Sequence, residues 1–197
     1  MTHTTANFEL NNFYQSLSSD LKTIQVTDEE GGNLEQIFTQ TAVDLLAEAG
    51  ETENVRVAYD EKSLGTKNQH KINAYSISDN YETLDLFISV FNGSDEPVRV
   101  AKDEIDTAGK RIINFFKKAI EKNYVHEIDE SSQIFDFAHT LDRSYELKEN
   151  LVRINAIILT DGLYQGSQPE NVSIGNFPIF YRIVDLNHLY NISEKLF

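Results

Sequence analysis

Ile72-Asn-Ala-Tyr-Ser-Ile77, a turn at Asp79-Asn80, and Leu84-Asp-Leu-Phe-Ile-Ser-Val-Phe91 make up the stretch on which the fold depends. The first run alternates, the second is the most apolar of the strand candidates, and the Asp-Asn pair between them favours a tight reversal, so the two read as a hairpin. The second run ends at Asn92-Gly93, a further turn signal. Upstream, Val55-Arg-Val-Ala-Tyr59 alternates apolar and polar residues, which adds a first strand and completes a three-stranded meander.

Helices flank this meander. Asn33 can cap a helix whose Leu34, Ile37, Phe38, Ala42, Leu45, Leu46 and Ala49 fall on one face, with Gly50 as its stop. Before it, and ahead of a turn at 28–32, Leu10, Phe13, Tyr14, Leu17 and Leu21 predict an amphipathic helix over about 7–22. Downstream, a long helix is predicted over about 103–122, with Asp103 as N-cap and Ile105, Ala108, Ile112, Phe115, Phe116, Ala119 and Ile120 as its buried stripe. A shorter helix follows over 131–141. Residues 151–160 become apolar on both faces, as a central strand does, and end at Asp161-Gly162. Residues 178–184 give a last strand, and Asp185 caps a closing helix. Strand, helical crossover and strand imply a right-handed parallel unit, so the whole is α/β: a mixed sheet of a meander plus two later strands, flanked by helices.

The chain has 197 residues, with 17 Lys and Arg against 32 Asp and Glu and a formal charge of −15. Its length and its sparse punctuation, 3 Pro and 9 Gly, predict a single domain over 1–197, with 1–30 a helical extension and 31–197 the core. Zero Cys excludes disulfides, thiolate nucleophiles and thiolate metal sites. No apolar run is long enough to span a bilayer, and the start lacks the basic-then-apolar order of a secretory signal, so the expected compartment is the cytoplasm, with no membrane partner. The chain stops on Leu196-Phe197 straight after a helix, which leads us to expect the N-terminal piece of a longer protein.

The acidity is uneven. Residues 1–98 carry 5 basic and 17 acidic side chains, whereas 99–122 carry 7 basic and 4 acidic. Within the long helix Lys110, Arg111, Lys117, Lys118 and Lys122 form a basic strip, either a solvated outer face or a contact surface for nucleic acid or an acidic partner. The five histidines, at 3, 70, 126, 139 and 188, show no ligand spacing.

The element order resembles that of the restriction-endonuclease-like fold. Enzymes of that fold set a Glu on the first core helix, an Asp on the second strand and an acid-x-Lys triplet on the third, because two carboxylates hold Mg²⁺ while the Lys orients the attacking water. On that template Glu35 is the helical acid, Asn73 stands where the Asp would be, and the third strand offers Asp85 one pleat too early and no Lys. The acid-x-Lys string Asp60-Glu61-Lys62 lies on the first strand instead, where the plainer reading is a charged turn before Ser63-Leu-Gly65. Thr160-Asp161-Gly162, at the end of a buried strand, is either a ligand-site edge or a turn.

Lys71-Ile-Asn-Ala-Tyr-Ser-Ile and Leu84-Asp-Leu-Phe-Ile-Ser-Val-Phe-Asn resemble the N-terminal region of AIPR proteins, large bacterial proteins implicated in abortive infection and phage resistance. The resemblance continues through Lys110-Arg-Ile-Ile-Asn-Phe-Phe, Ile157-Ile-Leu-Thr-Asp-Gly and Tyr181-Arg-Ile-Val-Asp-Leu-Asn-His-Leu-Tyr. It implies a restriction-endonuclease-like N-terminal domain joined to a larger C-terminal part, which would be one partner, with nucleic acid or a phage component as another. Glu35, Asn73 and Asp85 are then the positional site candidates of a degenerate site, with no metal and no cofactor assigned. The alternatives are a live nuclease, in which Glu35, Asp85 and the 60–62 string converge around Mg²⁺, and a protein-interaction or sensor module.

Overall fold

Among the described residues, six strands form one sheet, whose spatial order is 56–62, 70–77, 83–90, 153–160, 177–184 and 172–174. The fold is that of a computed structural model, which describes residues 2–28, 32–62 and 68–196. Strands β1 (Arg56–Lys62), β2 (His70–Ile77) and β3 (Thr83–Val90) run antiparallel as the expected meander. β3 then pairs in parallel with β4 (Arg153–Thr160), and β4 in parallel with β6 (Phe177–Val184). The chain is therefore mixed α/β, with helices on both faces.

Side-chain alternation assigns the two faces. Leu84, Leu86 and Ile88 of β3, with Ile154, Ala156 and Ile158 of β4, pack under α3 (Lys102–Glu121) and α4 (Phe135–Arg143). Phe87, Ile157 and Leu159 point the other way, against α1 (Thr2–Thr27), α2 (Leu34–Glu48) and α6 (Leu186–Leu196). The crossover from β3 to β4 is α3, a 3-10 turn at Tyr124–Glu127, α4 and α5 (Tyr145–Asn150).

Several expectations change in detail. The first helix is longer than 7–22, running over Thr2–Thr27 with Tyr14, Leu17 and Leu21 as its buried stripe. The long helix begins before Asp103: Ala101 is its N-cap residue, and Glu104 reaches back to accept the Ala101 backbone N–H at 2.8 Å. The short helix starts at Phe135 rather than 131, after a turn in which Asp129 accepts from Ser131. The Asp60-Glu61-Lys62 string is part of β1 rather than a turn after it. The turn expected at 63–65, and residues 29–31 of the turn at 28–32, lie outside the described residues. β5 (Val172–Ile174), three residues with little burial, was not foreseen; it returns the chain along the outer edge so that β6 can lie parallel to β4. Asn33 and Asp185 act as expected: Asn33 Oδ1 accepts from Glu35 N at 2.9 Å, and Asp185 Oδ1 from His188 N at 3.0 Å. No described helix is long and apolar enough to cross a membrane.

Candidate functional site

The decisive irregularity lies at Asn73. On the β1 side, Val57 pairs with Ala74 and Asp60 with Ile72, so Ala58 and Tyr59 stand opposite the single residue Asn73, a β-bulge. On the β3 side, regular pairing stops at Ala74 with Phe87. Beyond that point the backbone of Ser89 on β3 is satisfied by side chains of β2. Ser89 N donates to Asn73 Oδ1 at 2.8 Å, and Lys71 Nζ donates to Ser89 O at 3.1 Å. The gap between β2 and β3 is thus filled by polar side chains.

The first turn of α2 faces this gap. Asn73 Nδ2 donates to Glu35 Oε2 at 3.0 Å and to Gln36 Oε1 at 2.7 Å, and the Lys71 ammonium donates to Glu35 Oε1. One helical turn on, Thr39 Oγ1 donates to Glu35 O at 2.8 Å and shares a 2.7 Å hydroxyl bond with Ser89 Oγ. Asn73 is fully buried and Lys71 only 7% exposed. Every hydrogen-bonding atom of the Asn73 amide is used, two donors toward α2 and one acceptor toward β3, which explains an amide here rather than a carboxylate. An aspartate would present only acceptors to Glu35 and Gln36.

This cluster opens onto a groove of about 420 Å³ at the C-terminal end of β3, bordered by Glu35, Lys71, Ser89, Phe91, Glu104 and Arg111. Arg111, on α3, pairs with Glu61 of β1, which also accepts from the Tyr59 hydroxyl. Against the upward push of burial, those two hydrogen bonds and the Arg111 and Lys71 charges hold the Glu61 carboxyl below its ordinary value. Burial, the bond to Glu61 and the charges of Glu61 and Glu35 push the Tyr59 phenol up. The two cations at the groove, Lys71 and Arg111, are thus each held by a carboxylate, Glu35 and Glu61, and Asp103 and Glu104 of α3 add further negative charge to its border.

The other sequence candidates lie elsewhere. Asp85 is four residues along β3 from Ser89, about 13 Å at the strand rise, with buried Phe87 between them. It accepts from Asn155 Nδ2 at 2.6 Å and lines a separate cleft with Glu51, Glu53 and Ser76. Burial pushes its carboxyl up. Asp60 leaves β1 on the opposite face, where its Oδ2 lies 2.8 Å from His70 Nε2 and accepts from Tyr124 OH at 2.9 Å. Lys62 pairs with Glu127 at 2.9 Å. Asp85, Asp60 and Lys62 thus lie apart from Glu35, and of the 60–62 string only Glu61, paired with Arg111, stays on the Glu35 side of β1. Of the basic strip, Arg111 and Lys118 are engaged by Glu61 and Glu127, while Lys110, Lys117 and Lys122 are exposed. Asp161 turns inward to accept from Asn92 N at 2.8 Å and Gly93 N at 2.8 Å, a brace for the loop after β3.

A divalent ion of the kind the endonuclease template uses asks for hard, anionic oxygens free to face it. Here the two oxygens of Glu35 face an ammonium and an amide N–H, and among the described residues no three His, Cys, Asp or Glu side chains are grouped to hold a metal. The residues present do not fit the ion. The sequence reading missed Lys71, having sought a lysine on the third strand. The available signal was its spacing: Lys71 lies two residues before Asn73 and so on the same face of the strand.

A mixed α/β domain with a helix-borne acid set against a splayed pair of strands is the class that fold and site define. The chain belongs to the abortive infection phage resistance protein N-terminal domain family, whose model matches residues 38–191. That match takes in Lys71, Asn73 and Ser89 and begins just after Glu35. Membership places the chain in abortive-infection phage defence. No curated protein and no solved structure matches it.

Proposed function

We propose that this domain serves phage defence by recognition or assembly rather than by cutting nucleic acid, on a restriction-endonuclease-like frame whose metal position has become a closed polar cluster. The observation that carries the reading is the engagement of both Glu35 oxygens by donors on β2, Lys71 and Asn73. A carboxylate held this way has its charge balanced and its lone pairs directed at protein, so it cannot also gather a second carboxylate around Mg²⁺. The partners that suit the reading are the C-terminal remainder of the same protein, nucleic acid or a phage component, met in the cytoplasm.

The test is a Mg²⁺ and Mn²⁺ titration with single- and double-stranded DNA and RNA. The expected outcome is that no cleavage is lost on Glu35→Gln. Cleavage by the unaltered chain that disappears in Glu35→Gln overturns the proposal. Binding measured at low and moderate salt then sorts the partners, since phosphate contacts weaken steeply with salt and apolar docking does not.

A further inference from the structure

We infer that the Lys71 ammonium is a resident cation: it sits between the Glu35 carboxylate and the Ser89 carbonyl in place of a divalent ion, so that removing it uncovers a divalent-cation site. The inference rests on reading the Glu35 cluster as a closed metal position, and it adds what closes it.

The ammonium holds hard oxygens from two elements, Glu35 Oε1 at the start of α2 and the backbone carbonyl of Ser89 near the end of β3. A side-chain carboxylate joined by a backbone carbonyl is a donor set that Mg²⁺ and Mn²⁺ also accept. The carbonyl is free of a strand partner on that side because β2 and β3 have already parted at Ala74 and Phe87. The lysine stem runs inside the protein, with the residue 7% exposed, so the charge is delivered to a fixed point rather than left on a mobile surface arm. Asn73 completes the arrangement by holding the second Glu35 oxygen and the Ser89 N–H. The consequence for the unaltered chain is that α2 is tied to the sheet without metal, and chelators leave its stability unchanged. Loss of the ammonium leaves an anionic oxygen and a carbonyl facing one small space beside the groove, a position a divalent ion can enter from solvent.

The experiment is Mn²⁺ binding followed by electron paramagnetic resonance, with thermal melts alongside, on the unaltered chain, Lys71→Ala and Lys71→Ser. Both variants are expected to bind one Mn²⁺ at least about tenfold more tightly than the unaltered chain, to melt higher in its presence, and to lose both effects when Glu35→Gln is added. A folded Lys71 variant that binds Mn²⁺ no better than the unaltered chain overturns the inference, as does Glu35-dependent Mn²⁺ binding by the unaltered chain. Should the variants unfold without metal, refolding in Mn²⁺ supports the inference and failure to refold counts against it. Failure here leaves the proposed function standing, since that falls only to Glu35-dependent cleavage by the unaltered chain.

Discussion

His70 and Lys71 are neighbours on β2, and their side chains leave the strand on opposite faces, each into a polar cluster of its own. On the α2 face, Lys71, Asn73, Glu35, Thr39 and Ser89 match donors to acceptors across three elements, and none of their buried side-chain atoms lacks a partner. On the α3 face, one carboxylate, Asp60, is shared by the His70 imidazole and the Tyr124 phenol, and His70 Nδ1 has no partner among the described residues. His70 is 1% exposed, so that atom is shielded from bulk solvent. The first cluster is built from opposite charges and fails when one is removed. The second is a single carboxylate shared by an imidazole and a phenol, and it is correspondingly more tolerant.

The largest effect follows from the first cluster. Glu35→Ala leaves a buried ammonium and an amide without their acceptor, and is expected to cost about 3 kcal/mol of unfolding free energy. The paired replacement of Glu35 by Leu and Lys71 by Met removes both charges and is expected to recover most of that loss, because the pair itself offsets little more than its own desolvation. Urea denaturation of the single and double variants measures the coupling. A double variant as unstable as Glu35→Ala would show that the cluster contributes through shape rather than charge.

Asn73→Asp comes next, at about 2 kcal/mol, since it sets a carboxylate where an N–H now reaches Glu35 at 3.0 Å. Two facing carboxylates raise each other's pKa in the folded chain, so the folded state binds protons more tightly than the unfolded one. The penalty is therefore full near neutral pH and shrinks as the solution is acidified through the carboxylate range. Denaturation of the variant and the unaltered chain at pH 7 and pH 5 gives the comparison.

How much of this was legible beforehand differs between fold and site. The buried stripes of α2 and α3 and the apolar runs of β2, β3 and β4 read plainly, because 3.6- and 2-residue periods are set by burial on one face. β5 did not, because a three-residue edge strand with exposed Val172 carries no period to detect. The true start of α3 was hidden by Asp103, a better capping residue than the Ala101 that occupies the cap, with Glu104 making good the missing side-chain acceptor. Glu35 and Asn73 could be paired from a topological template, but Asp85 could not be excluded by it, since parity places Asp85 and Ser89 on one face and only the strand rise separates them. Lys71 was passed over because the template sets its lysine on the third strand, whereas here the second strand's lysine reaches inward beside the bulge and the parted register.

The α3-face cluster gives a smaller effect. Tyr124→Phe removes the phenol donor to Asp60 and is expected to cost about 1–2 kcal/mol. The phenol also makes the cluster sensitive to base. Burial, with the Asp60 charge and its hydrogen bond, pushes the Tyr124 pKa well up. A raised folded value means the folded chain keeps its proton when the unfolded chain has lost it, so this stabilisation is complete below about pH 10 and fades above it. Tyr14, pushed up to about 12 chiefly by burial, behaves likewise. Stability of the unaltered chain is expected to fall from about pH 10 upward, and less steeply in Tyr124→Phe. Equal slopes would remove Tyr124 from the alkaline response.

The smallest effect lies outside that cluster, where Lys62 and Lys118 stand 5.1 Å and 4.3 Å from the Tyr124 ring centre and both pair with Glu127. The two lysines hold the Glu127 carboxyl down to about 2. A lowered folded value reverses the sense of the tyrosine case: the contribution is present above the ordinary glutamate range and is lost as the pH falls toward 2. Glu127 is 46% exposed, so water and salt screen most of it. Glu127→Gln is expected to cost only about 0.5 kcal/mol in low salt and less at 0.5 M NaCl, whereas Glu35→Ala, measured in the same two salts, keeps its full cost. If both variants respond to salt alike, Lys71 is solvated in solution, and the contrast between the buried charge of Lys71 and the outer charges of Lys62 and Lys118 disappears.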